Sequence, residues 1–159
     1  MIRGLNNLFF MAIKPNGSIR PRMYDLPKLH KQNIPLRPIL SMIKSPKHKL
    51  AKLLNFLLEP VLVYYSQFVV KDSFEVIKKI RYAKSTNTVL TSFDVKQLFT
   101  SVPLEESIKI SVDKLYEIRK LNLEKNNLIK LMKIAMSDVQ FSFNNTIYSQ
   151  IDGVAMGSP

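Results

Sequence analysis

The sequence contains no cysteine and only two histidines among its 159 residues. Without cysteine there is neither a disulfide framework nor a thiolate metal site, and we expect a reducing location, nuclear or cytoplasmic, rather than secretion. His30 and His48 stand alone in the sequence. A histidine-rich zinc site is therefore not expected.

Long uninterrupted hydrophobic runs are also lacking. The apolar patch LFFMAI at residues 8–13 is brief and has no small-residue cleavage site, and Glu59 and Pro60 interrupt the run FLLEPVLVYY. Neither segment is typical of a signal peptide or a membrane span. The hydrophobic content of 46% nevertheless argues against disorder, so we expect one soluble, folded domain that has no membrane partner.

Acidic residues are scarce in the N-terminal third. Residues 1–52 contain eleven lysines and arginines but a single acid, Asp25, so this third carries +10 of the total net charge of +12. Such a block attracts polyanions, because each phosphate that Lys or Arg neutralises releases condensed counterions. Nucleic acid is the first candidate partner, and a solvated face or a contact with an acidic protein is the alternative. Aromatic residues are few in this block, so a base-stacking platform is not expected.

The first half of the chain alternates between proline-rich and helical patterns. Residues 14–40 contain five prolines and no helical periodicity, which predicts extended segments joined by turns. A helix follows, with Ser45 as N-cap and Pro46 at its first position, and Glu59-Pro60 is expected to end it. Its leucines recur at helical spacing and are predicted to face inward: Leu50, Leu53, Leu54, Leu57 and Leu58.

A shorter helix and a strand are predicted next. The helix runs from Phe74 to Tyr82, with Asp72 or Ser73 as its cap, and its apolar residues are expected to face inward: Val76, Ile77 and Ile80. Residues 88–94 form a short, uncharged run rich in β-branched residues before Asp94. This composition predicts a buried strand.

The last third predicts two helices and a hairpin. A helix of about four turns after Pro103 and another near 124–136 are expected to bury these residues: Ile108, Val112, Leu115, Leu128, Leu131, Met132 and Ala135. Apolar and polar residues then alternate on both sides of Asn144-Asn145. Because Asn tolerates positive φ, this pattern predicts a β-hairpin with its turn at the two asparagines.

Asp94 is the most unusual candidate for a functional residue. A carboxylate at the end of a buried strand lies where open sheets often place functional groups. Taken alone, such an aspartate is more often a turn or helix-cap residue than a metal ligand. By the same reasoning Phe99 alone would be a core residue and Arg37 a surface cation.

Four segments in order resemble the reverse transcriptase of Penelope-like retroelements: PRMYDLPKLHK at 21–31, IPLRPILS at 34–41, SFDVKQLFTSVP at 92–103 and QIDGVAMGSP at 150–159. The resemblance covers essentially the whole chain. It implies an α+β fold, namely the fingers and partial palm of a right-hand polymerase, incomplete at the C-terminus. The implied regions are basic fingers at 1–85, palm with motif A at 86–117, a helix and hairpin of fingers or palm at 118–150, and the start of motif B at 151–159.

The resemblance also implies a role for each matched residue. Asp94 corresponds to the motif A aspartate that binds both catalytic Mg²⁺ ions, and the carbonyl of Val95 would be a further ligand. Phe99 corresponds to the bulky residue that excludes a ribose 2′-hydroxyl. Arg37 corresponds to the arginine that grips the incoming triphosphate, and Met156 and Gly157 lie where motif B approaches the nucleotide or the template.

The implied partners are an RNA template, a DNA primer and deoxynucleoside triphosphates. Five basic residues of the N-terminal third are the predicted nucleic-acid contacts: Arg20, Arg22, Lys28, Lys31 and Lys47. The sequence departs from the family pattern inside motif A, where Lys96 and Gln97 replace smaller or apolar residues.

The paired aspartates of motif C, the rest of the palm, the thumb and a possible GIY-YIG endonuclease domain are expected only beyond residue 159. Asp138 and Asp152 are expected to be structural rather than catalytic. We therefore expect residues 1–159 to be inactive alone. The leading hypothesis is a fragment of an RNA-directed DNA polymerase. A non-catalytic nucleic-acid-binding remnant of a retroelement and a basic RNA-binding structural protein are the alternatives.

Overall fold

The computed structural model describes residues 11–15, 18–82, 89 and 91–157. Over these residues the fold is mixed α+β, with a four-stranded sheet beside a group of packed helices. This agrees with the fold class predicted from the sequence at the level of α+β.

The sheet has the strand order β2-β1-β3-β4. Strands β1 (Arg22–Pro27) and β2 (Leu36–Ser41) pair antiparallel, so the proline-rich segment is extended as predicted. Strands β3 (Gln140–Phe143) and β4 (Thr146–Ser149) form a second antiparallel pair. β3 runs parallel to β1, which joins the two hairpins into one sheet.

The β3–β4 hairpin confirms the turn predicted at Asn144-Asn145. The φ angles of these residues are 47° and 61°, so both adopt the left-handed conformation that a tight two-residue hairpin requires. Asparagine tolerates this conformation better than most residues. The sequence pattern therefore fixed both the position and the chemistry of this turn.

The helices are α1 (His48–Tyr65), α2 (Ser73–Tyr82), α3 (Leu104–Ile118) and α4 (Lys125–Met136). Helices α1, α3 and α4 pack around the larger hydrophobic core. The residues predicted to face inward on α3 and α4 are all between 0 and 4% exposed, which confirms the periodicity of both helices. A smaller core of Leu40, Met42 and Val139 lies against the sheet.

Helix α1 differs from its prediction at both ends. It begins at His48, and Ser45 is buried with its hydroxyl unpartnered among the described residues instead of capping the helix. It also continues through Pro60 to Tyr65. A proline inside a helix costs about 3 kcal/mol, but the next residue, Val61, is buried in the core and helps to offset that cost.

Helix α2 confirms its predicted cap but not its predicted burial. The Oδ1 atom of Asp72 accepts a 2.8 Å hydrogen bond from the backbone N–H of Glu75, as in an N-cap. However, Ile77 and Ile80 are 52% and 49% exposed, and no residue of α2 is buried. The periodicity describes an apolar stripe, but no other described element covers it.

The strand predicted at 88–94 is wrong over the residues that the structure describes. Residues 91–95 have no regular secondary structure and are exposed, and so is Val89, while 88 and 90 lie outside the described residues. A strand needs a neighbour to satisfy its backbone hydrogen bonds. No strand of the described sheet pairs with this segment, so a β-branched composition alone was not sufficient.

Among the described helices, none alone is long and apolar enough to cross a membrane. The segments His48–Phe68 and Ser73–Tyr82 meet the length and composition criteria only when they are taken together, and they are bent by 51° relative to each other.

Candidate nucleotide and nucleic-acid site

The segment 150–157 connects two parts of the chain that the sequence motifs had singled out. At its first contact, the backbone N–H of Val154 donates a 2.7 Å hydrogen bond to the carbonyl of Phe99. Gly153 lies beside it with φ +72°, and a Cβ at this position would lie 2.3 Å from the Phe99 oxygen and 2.6 Å from the Cα of Thr100. Only glycine fits this contact without moving backbone atoms.

The second contact joins the same segment to the edge of the sheet. The backbone N–H of Leu40 in β2 donates a 2.8 Å hydrogen bond to the carbonyl of Met156. Gly157 has φ +108°, and a Cβ there would lie 2.7 Å from the Leu40 oxygen and 3.3 Å from a methyl carbon of Ile39. The segment therefore covers the outer edge of β2, which would otherwise present unpaired backbone groups.

Together, these two contacts form what we call the motif junction: β2 (Leu36–Ser41), the 3₁₀ turn Leu98–Thr100 and the segment 150–157. The three parts are far apart in the sequence, and each belongs to a different one of the motifs described above. The junction places Phe99 beside one end of the segment and Met156 and Gly157 beside β2, which carries Arg37.

Asp94 and Val95 lie just before the turn of the motif junction, in the irregular segment 91–95. Asp94 is exposed, and Val95 is 61% exposed. Gln97, one of the departures from the family pattern, has φ 53° and begins the 3₁₀ turn in the left-handed conformation. Phe99 follows within the turn at 38% exposure, so its ring is partly accessible rather than a core residue.

These residues do not by themselves fit a two-metal centre. Asp94 supplies one carboxylate and Val95 one backbone carbonyl, whereas Mg²⁺ prefers six oxygen ligands in octahedral geometry. No group of three or more histidine, aspartate or glutamate residues that could hold a metal ion occurs in the described part of the chain. The metal ligation implied by the resemblance would therefore require carboxylates from elsewhere.

Asp138 and Asp152 line an open groove of about 640 Å³ on the other side of the 3₁₀ turn, together with Glu105 and Glu106. Their backbones have structural contacts. Asp138 has φ 52°, and the carbonyl of Asp152 accepts a 3.0 Å hydrogen bond from the side chain of Gln150. These contacts fit the structural roles expected from the sequence, and the groove itself is acidic.

The five predicted nucleic-acid contacts differ in their surroundings. Arg20, Arg22 and Lys31 are exposed and Lys28 is half-buried. Lys47 instead donates hydrogen bonds from its ammonium to the carbonyls of Ser137, at the end of α4, and Asp138. Burial lowers the pKa of Lys47, and the Asp138 carboxylate opposes this effect. Lys47 therefore stabilises the end of a helix in this structure.

Two features were missed by reasoning from the sequence. Gly153 lies in a quoted motif, but its need for glycine appears only from its contact with the Phe99 turn. Tyr24 is 48% exposed on β1, beside exposed arginines, although the low number of aromatic residues had argued against a stacking surface. The signal for Tyr24 was the alternation of RMYDL, which places Arg22, Tyr24 and Leu26 on one face of a strand.

Comparison of the chain with protein-family models, with curated proteins and with solved structures finds no match.

Proposed function

We propose that this chain forms the fingers and part of the palm of an RNA-directed DNA polymerase that is similar to those of Penelope-like retroelements. The observation that carries the proposal is the motif junction. The 150–157 segment contacts both the Phe99 turn and β2, through the Phe99–Val154 and Leu40–Met156 hydrogen bonds, and each of these three parts resembles a separate polymerase motif.

Within this proposal, each residue at the junction has a task that its surroundings permit. Arg37 is exposed on β2, where its planar guanidinium is free to bind the oxygens of an incoming triphosphate. The ring of Phe99 is partly exposed and its backbone is fixed by Val154, so it is suited to pack against the deoxyribose and exclude a 2′-hydroxyl. Gly157 lets the backbone approach closely beside β2.

In this proposal, Asp94 is one of the carboxylates that bind the catalytic metal ions. The paired aspartates that the resemblance implies beyond residue 159 would supply the other carboxylates. The solvent exposure of Asp94 is consistent with this assignment, since a carboxylate that other residues must join has to be accessible. Residues 1–159 would then bind and position nucleotide and nucleic acid, and polymerisation would require the longer chain.

Primer extension by the chain continued through its downstream reading frame tests the proposal. We expect incorporation of deoxynucleotides on an RNA template with Mg²⁺. Asp94→Asn should lower the rate of incorporation by at least about 100-fold, the order of magnitude expected when one charge-stabilising group is removed. The matched control is Asp113→Asn, which removes only the surface ion pair to Lys125. Equal activity of both variants and the unsubstituted chain, or no incorporation by a folded chain that contains the paired aspartates, would refute the proposal.

A non-catalytic nucleic-acid-binding remnant is the second candidate. It is favoured by the lack of a metal-binding cluster among the described residues, together with the +10 charge of residues 1–52. A downstream frame that is interrupted before any paired aspartates, with nucleic-acid binding by residues 1–159 retained, would support this candidate over the polymerase.

A further inference from the structure

Among the residues that the structure describes, no hydrophobic core packs against one face of the β1–β2 hairpin. Met23 points to the inner face, where it packs against the small core of Leu40 and Val139. Because side chains alternate along a strand, the residues on either side of Met23 point outward. Residues paired across strands share a face, so the outer sheet face comprises Arg22, Tyr24 and Leu26 with their partners Ser41, Ile39 and Arg37, and Ser142 of β3.

The outer sheet face combines an accessible aromatic ring with two cations. Tyr24 is 48% exposed, and Arg22 and Arg37 are both exposed. Arg22 lies two residues from Tyr24 along β1, about 6.6 Å at 3.3 Å per residue. Arg37 lies opposite Leu26, and is therefore diagonal to Tyr24 at about 7–8 Å.

The charge of this face is unopposed. Neither arginine forms an ion pair with a residue that the structure describes. The nearest acid in sequence, Asp25, alternates onto the inner face opposite Pro38, and strands β2, β3 and β4 contain no acidic residue. The face is thus complementary to a polyanion, unlike the acidic groove beside Asp152.

We propose that the outer sheet face binds a single strand of nucleic acid, with one base stacked on Tyr24 and a flanking phosphate bound by Arg22. A ring on an open sheet stacks on bases that are splayed out, as in single strands, and not on bases that are already paired and stacked in a duplex. An arginine about 7 Å along the same strand supplies the charge that the backbone of such a strand requires.

The inference deepens the proposed function and rests on it only for naming the strand as the template. Ile39, on the same face, lies 3.3 Å from the Cβ position of Gly157 in the motif junction. Arg37, assigned to the incoming nucleotide, also lies on this face. The single strand and the nucleotide would then meet on one surface, as templated synthesis requires.

Fluorescence anisotropy with residues 1–159 tests the inference without any catalysis. The probes are labelled 12-nucleotide single strands of RNA and DNA of one mixed sequence, and the corresponding DNA duplex. We expect Tyr24→Ala to weaken single-strand binding about tenfold, within the range measured for loss of one stacked base. Tyr24→Phe, which retains the ring, should bind within about threefold of the unsubstituted chain, and circular dichroism checks that each variant is folded.

Tyr148→Ala is the matched control, because Tyr148 is 47% exposed but lies on the inner-face side of the sheet, stacked on Phe141. We expect it to leave the affinity unchanged. Arg22→Gln should reduce the slope of log affinity against log salt by about 0.7 for a single strand, whereas Arg119→Gln at the end of α3 should not.

A loss with Tyr24→Ala on both RNA and DNA, or on RNA alone, supports the inference and identifies which sugar the face accepts. An unchanged affinity in Tyr24→Ala, an equal loss in Tyr148→Ala, or duplex binding as tight as single-strand binding would overturn it. Primer extension that survives such a result would leave the proposed function standing. Conversely, Tyr24-dependent binding together with no primer extension by a folded chain that contains the paired aspartates would overturn the proposed function alone.

Discussion

Replacing Gly153 with alanine tests whether the motif junction holds the 150–157 segment to the Phe99 turn. The added Cβ would lie 2.3 Å from the Phe99 oxygen and 2.6 Å from the Cα of Thr100, and both are backbone atoms that cannot rotate away. The segment must therefore move, which breaks the 2.7 Å hydrogen bond from Val154 to Phe99.

The cost of this substitution follows from two terms. Alanine at φ +72° is strained by about 1–2 kcal/mol. Loss of the backbone hydrogen bond adds about 0.5–1.5 kcal/mol. We expect the free energy of unfolding to fall by about 1.5–3.5 kcal/mol, which lowers the melting temperature by roughly 3–14 °C for a chain of this size.

Urea denaturation at 25 °C measures the change, and hydrogen exchange at the Val154 amide shows where it occurs. Asn145→Ala is the control, since Asn145 is exposed at φ 61° in the hairpin turn and its replacement tests positive φ at an open site. Gly153→Ala should destabilise the chain by at least about 1 kcal/mol more than Asn145→Ala, the value of one hydrogen bond. Equal effects, or an unchanged exchange rate at Val154, would refute the close contact at the junction.

The remaining predictions concern activity, selectivity, binding and the core. Purified residues 1–159 should not extend a primer with Mg²⁺, because Asp94 supplies a single carboxylate where two-metal phosphoryl transfer needs several; Asp94-dependent incorporation by this chain would contradict that. In any chain that contains these residues and extends a primer, Phe99→Ala should raise ribonucleotide relative to deoxynucleotide incorporation, and an unchanged ratio in steady-state kinetics would show that the ring does not contact the sugar. Leu128→Ala should cost about 2–5 kcal/mol in urea denaturation, since Leu128 is 0% exposed, whereas a cost under 1 kcal/mol would contradict the packing of α4. Affinity for an RNA/DNA hybrid should fall steeply with salt, and reversing basic residues of the N-terminal third should flatten that slope more than reversing the same number in the near-neutral remainder; equal slopes would make the basic third a solvated surface. The two sets to reverse are Arg20, Arg22, Lys28 and Lys31 against Lys109, Lys114, Lys120 and Lys125.

Local sequence patterns were sufficient to predict a segment's structure where the segment's own residues decided which side is buried or where the chain turns. Helices α3 and α4 were predicted with their buried residues, because a 3.6-residue apolar period leaves one stripe to bury and one core to receive it. The β3–β4 hairpin was predicted for a similar reason, since Asn144-Asn145 specifies a tight turn by itself.

Tertiary contacts decided where helix α1 ends and whether the segment before Asp94 forms a strand, neither of which local sequence patterns predicted correctly. Pro60 was expected to end α1, but the helix continues to Tyr65, and Val61, directly after the proline, is buried in the core. The β-branched run before Asp94 was expected to be a strand, but no strand of the described sheet pairs with it. Whether a strand forms depends on available hydrogen-bonding partners, and these come from distant parts of the chain.

The sequence by itself determined the two C-terminal helices, the hairpin turn and the basic N-terminal third, because each depends on residues close together in the chain. Only the tertiary structure decided that β2, the Phe99 turn and the 150–157 segment meet. The reason is steric: Gly153 and Gly157 lie against backbone atoms more than fifty residues away, and nothing in a linear spacing states which backbone those will be. The residues of the outer sheet face could likewise be identified only from the register of β1 on β2. That register places Tyr24 opposite Ile39 and puts Arg22 and Arg37 on the same face as Tyr24.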